Sequence, residues 1–206
     1  LPLAELVMFE TQDGLMLDGW FVPAAAPATG HTVIVFNGNA GHRGHRADLA
    51  AQLAARGLAV LLFDYRGYGE SDGSPSEEGL YADARAAYKY LRHSLGVPVE
   101  RIVIYGHSLG SAVAIELASE VPAAGLMIEG AFTSVPDLGA ELYPYLPIHY
   151  LARRRFPSLQ RIGSVRMPIL IIHGRDDATI PPIHGRRLFA AAREPKTLLE
   201  VPGAHD

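Results

Sequence analysis

The chain contains no cysteine. A disulfide framework and a thiolate nucleophile are therefore both excluded, and the redox compartment leaves no mark on the sequence. Long apolar runs are missing too: none approaches the roughly 18 residues of a membrane-spanning helix. Charge is sparse at 19%, with 18 Lys and Arg against 22 Asp and Glu and a net charge of -4. That balance argues against non-specific nucleic-acid binding, which needs a basic face. Internal repeats and low-complexity segments are also absent. What remains is 206 residues, 49% of them hydrophobic, enough for one domain with a sizeable core and too little for two comfortable ones. The first residue is Leu1 rather than methionine, which leaves room for a signal or anchor upstream; membrane association is expected only through such a segment.

Strand and helix patterns alternate along the chain. Leu15–Phe21, Thr32–Phe36, Ala59–Phe63, Arg101–Tyr105, Gly125–Glu129, Ile169–His173 and Thr197–Val201 read as strands. Most are continuous apolar runs, the signature of strands buried on both faces by crossover helices. Helical spacing covers His45–Arg56 and Gly79–His93, and the stretch Asp64–Ser76 between them is a loop dense in Gly, Ser, Asp and Pro. The fold class expected is α/β, a doubly wound and mostly parallel sheet. Between Ala131 and Met167 the alternation breaks, with many Pro, Tyr and Arg residues and only short helical stretches. A loop of this length inside a compact domain is more often functional than idle. We expect a single domain over 1–206 with a small cap at 132–166.

The stretch "RIVIYGHSLGSAVAIEL", residues 101–117, runs from β-branched residues through Gly-His-Ser-Leu-Gly into a helical pattern. Gly106, Ser108 and Gly110 match G-x-S-x-G, in which small flanking residues permit a sharp strand-to-helix turn that exposes the serine hydroxyl. The same serine could serve as a plain helix N-cap. As a nucleophile it needs a histidine base, and the histidine needs an orienting carboxylate. Chain order in such folds is Ser, then Asp or Glu, then His. After Ser108 come His149, His173, His184 and His205. His205, in "VPGAH" beyond a strand's carboxyl end, is the best base; His173 shares a loop with the carboxylates and suits that turn, and His184 falls in a helical pattern. Asp176 or Asp177 supplies the acid from the same end of the sheet.

The motifs "FNGNAG", "FDYRGYGESDGSPSEEGLYADARAAYKYL", "GHSLGSAVAIELA", "HGRDDATIP" and "VPGAH" occur in that order over nearly the whole chain. Together they resemble serine hydrolases of the α/β-hydrolase superfamily. The similarity extends to the compact α/β-hydrolase domain proteins that include protein depalmitoylases and bacterial relatives. In the family pattern H-G-x-x-D-x-x-x-P, His173, Gly174 and Pro181 align so that the acid falls on Asp177. The resemblance also implies an oxyanion hole built from the backbone N–H groups of Asn39 and Leu109. Asn37 departs from the histidine most common in relatives. Glu129 is a second candidate acid, because some relatives draw theirs from the end of that strand.

By this resemblance the chain is a serine hydrolase, a carboxylesterase or acyl-thioesterase, using Ser108, Asp177 and His205 without metal or cofactor. Its expected partner is a small-molecule or lipid acyl ester or thioester. A serine peptidase akin to prolyl-peptidase catalytic domains, and a non-catalytic binding module on the same fold, are the rival readings. His42 and His45 stand three apart, but no third and fourth metal ligand is evident. Asp64, Arg66 and Asp72 suit ion pairs and turns, and Arg153–Arg155 suit a solvated face or lipid headgroups. Relatives continue past the histidine into a covering helix, so the natural chain is expected to run roughly 10 to 20 residues beyond Asp206.

Overall fold

The computed structural model describes residues 4–39, 43–145 and 155–205. Its strands are β1 (Glu5–Glu10), β2 (Met16–Val22), β3 (Thr32–Phe36), β4 (Ala59–Phe63), β5 (Ile102–His107), β6 (Gly125–Glu129), β7 (Ile169–Gly174) and β8 (Lys196–Val201). They form one sheet in the order β1-β2-β4-β3-β5-β6-β7-β8. The pairs β1–β2 and β2–β4 are antiparallel and every later pair is parallel. The described helices are α1 (Ala47–Ala55), α2 (Glu77–Lys89), α3 (Leu109–Glu120), α4 (Val135–Leu142), α5 (Ser158–Ile162) and α6 (Ile183–Ala191). This is the doubly wound α/β architecture expected from the apolar runs.

All five residues of β3 are buried, and so are four of the five in β4. Leu17, Ile34, Phe36, Leu61, Phe63 and Ile104 point to one face, where α2, α3, α5 and α6 cover them. Val22, Val33, Val35, Val60 and Leu62 point to the other, beneath Ala50 and Ala54 of α1. The hydroxyl of Ser76 caps α2 by accepting from Gly79 N–H at 3.1 Å, and Glu77 and Glu78 in the first turn complement the helix dipole.

Strand β1 is absent from the pattern-based expectation. It lies at the sheet edge with Leu6 66% and Met8 55% exposed, so it lacks the buried run by which the other strands announce themselves. Helix α2 also ends earlier than the expected His93: at Tyr90 the backbone loosens into a π turn that runs to Ser94. In the segment 132–166, α4 is followed at the far end by α5, which packs against α3 and α6. Phe156, Ile162 and Val165 are buried in the main core. Val135 N–H donates to the Arg155 carbonyl, while Arg155 and Phe156 N–H donate to the Glu77 carboxylate at 2.6 and 2.9 Å. Both roots of the segment are thereby tied to the start of α2.

Candidate active site

Strand β5 ends at His107 and α3 begins at Leu109, so Ser108 alone makes the turn. Its backbone lies at φ 54° and ψ -121°, a conformation that costs a non-glycine residue about 1–3 kcal/mol. Two glycines make it possible. A Cβ on Gly106 would sit 2.3 Å from the Gly110 carbonyl oxygen, and one on Gly110 would sit 2.0 Å from the Phe36 carbonyl oxygen. The turn is pinned by Ser108 N–H donating to the Glu129 carbonyl at 2.9 Å and by the Ser111 hydroxyl donating to the Ser108 carbonyl at 2.6 Å. With the backbone committed, the Ser108 hydroxyl is left for other partners.

Its partner is His205, whose Nε2 lies 2.9 Å from Ser108 Oγ. The other ring nitrogen, Nδ1, lies 2.7 Å from Asp177 Oδ2. An ionised carboxylate only accepts, so Nδ1 carries the hydrogen and Nε2 faces the serine as an acceptor. Asp177 is held in turn: its Oδ1 accepts from Thr179 and Ile180 N–H at 2.9 and 2.8 Å. Gly130, at φ 55°, leaves space for the imidazole, since a Cβ there would lie 2.9 Å from His205 Cε1. Residues from the ends of β5, β7 and β8, 97 positions apart at the extreme, thus meet at the carboxyl edge of the sheet.

The other candidates sit elsewhere. Asp176 is exposed and donates its N–H to the Gly203 carbonyl. The Glu129 carboxylate accepts from the Tyr105 hydroxyl at 2.5 Å, and burial, with Glu129 beside it, pushes that phenol well up from its ordinary pKa. His173 is fully buried and spans its own turn, with Nε2 donating to the Ile180 carbonyl at 2.8 Å. His184 accepts at Nδ1 from Thr133 N–H at 3.2 Å. His42, His149, Arg153 and Arg154 lie outside the described residues, and with His42 goes the His42–His45 pair. Arg155 is exposed.

The turn after β3 also comes close to the serine. A Cβ on Gly38 would lie 3.3 Å from Ser108 Cβ and 3.6 Å from the His107 carbonyl oxygen, so the backbone at Gly38 lies against the elbow. Buried Asn37 donates through Nδ2 to the Phe63 carbonyl at 3.2 Å and accepts at its own carbonyl from the Tyr65 hydroxyl. The Asn39 side chain accepts from the Tyr68 hydroxyl at 3.1 Å. Leu109 opens α3, where the first N–H groups have no partner within the helix.

The family described as serine aminopeptidase, S33, matches residues 27–160. A Mycobacterium tuberculosis protein is 49% identical over 203 residues, covering 98% of this chain and 72% of its own. The alpha/beta hydrolase domain-containing protein WAV2 of Arabidopsis thaliana is 32% identical over 221 residues, covering 98% of this chain and 72% of its own. The chain belongs to the α/β-hydrolase family. Among solved structures, the Pyrococcus furiosus esterase Pf2001 superposes with a TM-score of 0.79 at 23% identity, covering 98% of this chain and 84% of the other.

In this α/β hydrolase the loop after β4 contributes Asp64 and Arg66, both buried, to an ionic frame. Arg43 reaches Asp18 and Asp64, each at 2.6 Å, and its guanidinium lies 5.0 Å from the Trp20 ring centroid. Gly69 is required there, because at φ 53° a Cβ would lie 2.2 Å from Asp64 Oδ2. Arg66 bridges Asp83 and Asp13 at 2.8 and 2.7 Å, and its bond holds the Asp13 carboxyl well below the usual carboxylate range. Asp72 accepts from Met16 N–H at 3.3 Å. The structural roles expected for Asp64, Arg66 and Asp72 are what this frame displays. The pairings of Arg43, Asp18, Asp13 and Asp83 join separate segments and carry no local motif, so the sequence alone does not reveal them.

Proposed function

We propose that this α/β hydrolase cleaves carboxylic esters or thioesters through Ser108, with His205 as general base and Asp177 as the acid that orients it. One observation carries the reading: an unbroken hydrogen-bonded path from Asp177 through both His205 nitrogens to Ser108 Oγ, at 2.7 and 2.9 Å, with that serine on a positive-φ turn. In the proposed reaction Ser108 Oγ attacks the acyl carbonyl while its proton passes to His205 Nε2. Asp177 stabilises the resulting imidazolium and keeps Nδ1 protonated. The carbonyl oxygen takes up the electron pair and accepts from the N–H groups of Leu109 and Asn39, each worth about 2.7–4 kcal/mol by analogy with measured donors.

Collapse of the tetrahedral intermediate expels the alcohol or thiol, which takes the proton from His205. Water, deprotonated by the same histidine, then attacks the acyl-enzyme, releases the acid and returns the proton to Ser108. None of these steps calls on a metal or cofactor. The segment 132–166 of a single domain over 1–206 is read as the cap that shapes the acyl pocket. The Pyrococcus furiosus neighbour is an esterase, which accords with the ester class.

The test is a panel of 4-nitrophenyl esters of increasing chain length, run beside acyl-thioesters and aminoacyl nitroanilides. The proposal expects turnover of esters or thioesters that falls on the order of 10⁴-fold in Ser108→Ala, as removal of a nucleophile typically does. Retention of more than about a tenth of the wild-type kcat, or cleavage confined to the anilides, contradicts it.

A further inference from the structure

We propose that His107, the side chain just before the serine in the elbow, is a positioning residue that fixes the backbone of His205. The inference rests on the reading of His205 as the general base. His205 stands on the turn after β8, where Pro202, Gly203 and Ala204 are all exposed. That turn is tied to the loop bearing Asp177 by Arg175 N–H donating to the Val201 carbonyl and Asp176 N–H to the Gly203 carbonyl. Neither bond fixes His205 relative to the serine it must serve.

His107 ties the main chain of His205 to the elbow, beside the bonds that the His205 ring makes to Asp177 and Ser108. Its Nε2 lies 3.1 Å from the His205 carbonyl oxygen, and its Nδ1 lies 2.6 Å from an Arg46 Nη2. A guanidinium only donates and a carbonyl only accepts. Both contacts therefore demand one tautomer, with Nδ1 bare and the hydrogen on Nε2. His107 is 4% exposed and its ring centroid is 5.1 Å from that of His205. Burial first, and Arg46 second, push it below the ordinary histidine pKa. That shift runs in the same direction as the neutral ring that the two contacts require.

The element that carries the nucleophile thereby holds the main chain of the base. Elbow and base loop are joined across 98 positions of sequence by one side chain whose tautomer Arg46 sets. Misplacing a base by about 1 Å costs on the order of 100-fold in rate, so a tie of this kind acts on kcat more than on substrate binding.

Two variants of the full chain test it, assayed on a 4-nitrophenyl ester beside wild type and Ser108→Ala. His107→Leu removes the donor, whereas His107→Gln offers an amide N–H for the His205 carbonyl and an oxygen for Arg46. The inference expects kcat to fall about 10- to 100-fold in the leucine variant with KM within a factor of two or so, and most of the loss to be recovered in the glutamine variant. The rate of Ser108 phosphonylation by a fluorophosphonate should fall in parallel with kcat. Full activity in the leucine variant, or equal losses in both, overturns the inference. If the leucine variant fails to fold, Arg46→Met decides: it should lower kcat severalfold at constant KM, and unchanged kcat overturns the inference. Activity in Ser108→Ala instead defeats the reading of the site itself, and so separates the two failures.

Discussion

At position 110 a methyl group has nowhere to go, because its nearest neighbour is the backbone of β3 at 2.0 Å and not a movable side chain. Gly110→Ala should therefore cost about 1–3 kcal/mol in urea unfolding and depress ester turnover by displacing the elbow; wild-type values for both contradict the packing argument. The carboxylates give a second residue-level prediction. Asp177→Asn should lower kcat by orders of magnitude, since an amide can present its N–H to Nδ1 and stabilise the wrong tautomer. Asp176→Asn should be mild, because Asp176 is exposed and it is its backbone N–H that bonds to Gly203, with Glu129→Gln as the comparison. If steady-state kinetics show the Glu129 change to be the severe one, the acid has been misassigned. Ser108 and His205 can be singled out in the sequence because each stands at a short offset from a glycine at the end of an apolar run, whereas the residues alone leave Asp176 and Asp177 open and only the resemblance to the H-G-x-x-D-x-x-x-P pattern picks Asp177. His107 cannot be: its partners lie 61 and 98 positions away, and its place inside the G-x-S-x-G pattern is one any residue type can fill.

Among the elements, the parallel strands are the easiest to read. Thr32–Phe36, Ala59–Phe63 and Gly125–Glu129 coincide with β3, β4 and β6; β3 and β4 are buried on both faces, which calls for continuous apolar runs. The edge strand β1 is hidden by the converse, an exposed face bearing Leu6 and Met8. Strand β5 runs two residues past Tyr105, to His107, since Gly106 and His107 pair with Ile128 and Glu129 despite lacking the apolar signature. The ionic frame belongs to this scale as well. Arg43, 10% exposed at its side chain, joins the short helix before α1 to both β2 and the end of β4 through Asp18 and Asp64. Removing one partner of a buried ionic group leaves uncompensated charge and costs about 3–5 kcal/mol. Arg43→Met should therefore lose stability in that range by urea titration. A loss below about 1 kcal/mol would place the pair in the class of surface bridges.

For the molecule as a whole, acid should be destabilising before the carboxylates begin to titrate. His184 is fully buried, and burial depresses its pKa below the ordinary value despite Glu141 nearby. His107 is shifted in the same direction. The native state therefore binds fewer protons than the unfolded chain below about pH 6.5, and stability rises with pH through that window and falls as pH drops. Glu116, pushed up by burial, acts in the opposite sense at its own titration. The clean readout is thus a difference: Tm should fall from pH 7 to pH 5.5 in the wild type and fall less in His184→Asn, which keeps an acceptor for Thr133 N–H without a titrating ring. Parallel Tm curves for the two proteins would refute the assignment. Four loops of one sheet edge converge at Ser108, and the proposed chemistry makes it the nucleophile. Incubation with a fluorophosphonate followed by intact-mass and peptide analysis tests it most directly. One phosphonyl group per chain is expected, located on the peptide that contains Ser108 and absent from both Ser108→Ala and fully unfolded protein. No adduct on the folded wild type, or an adduct on any other residue, would contradict it.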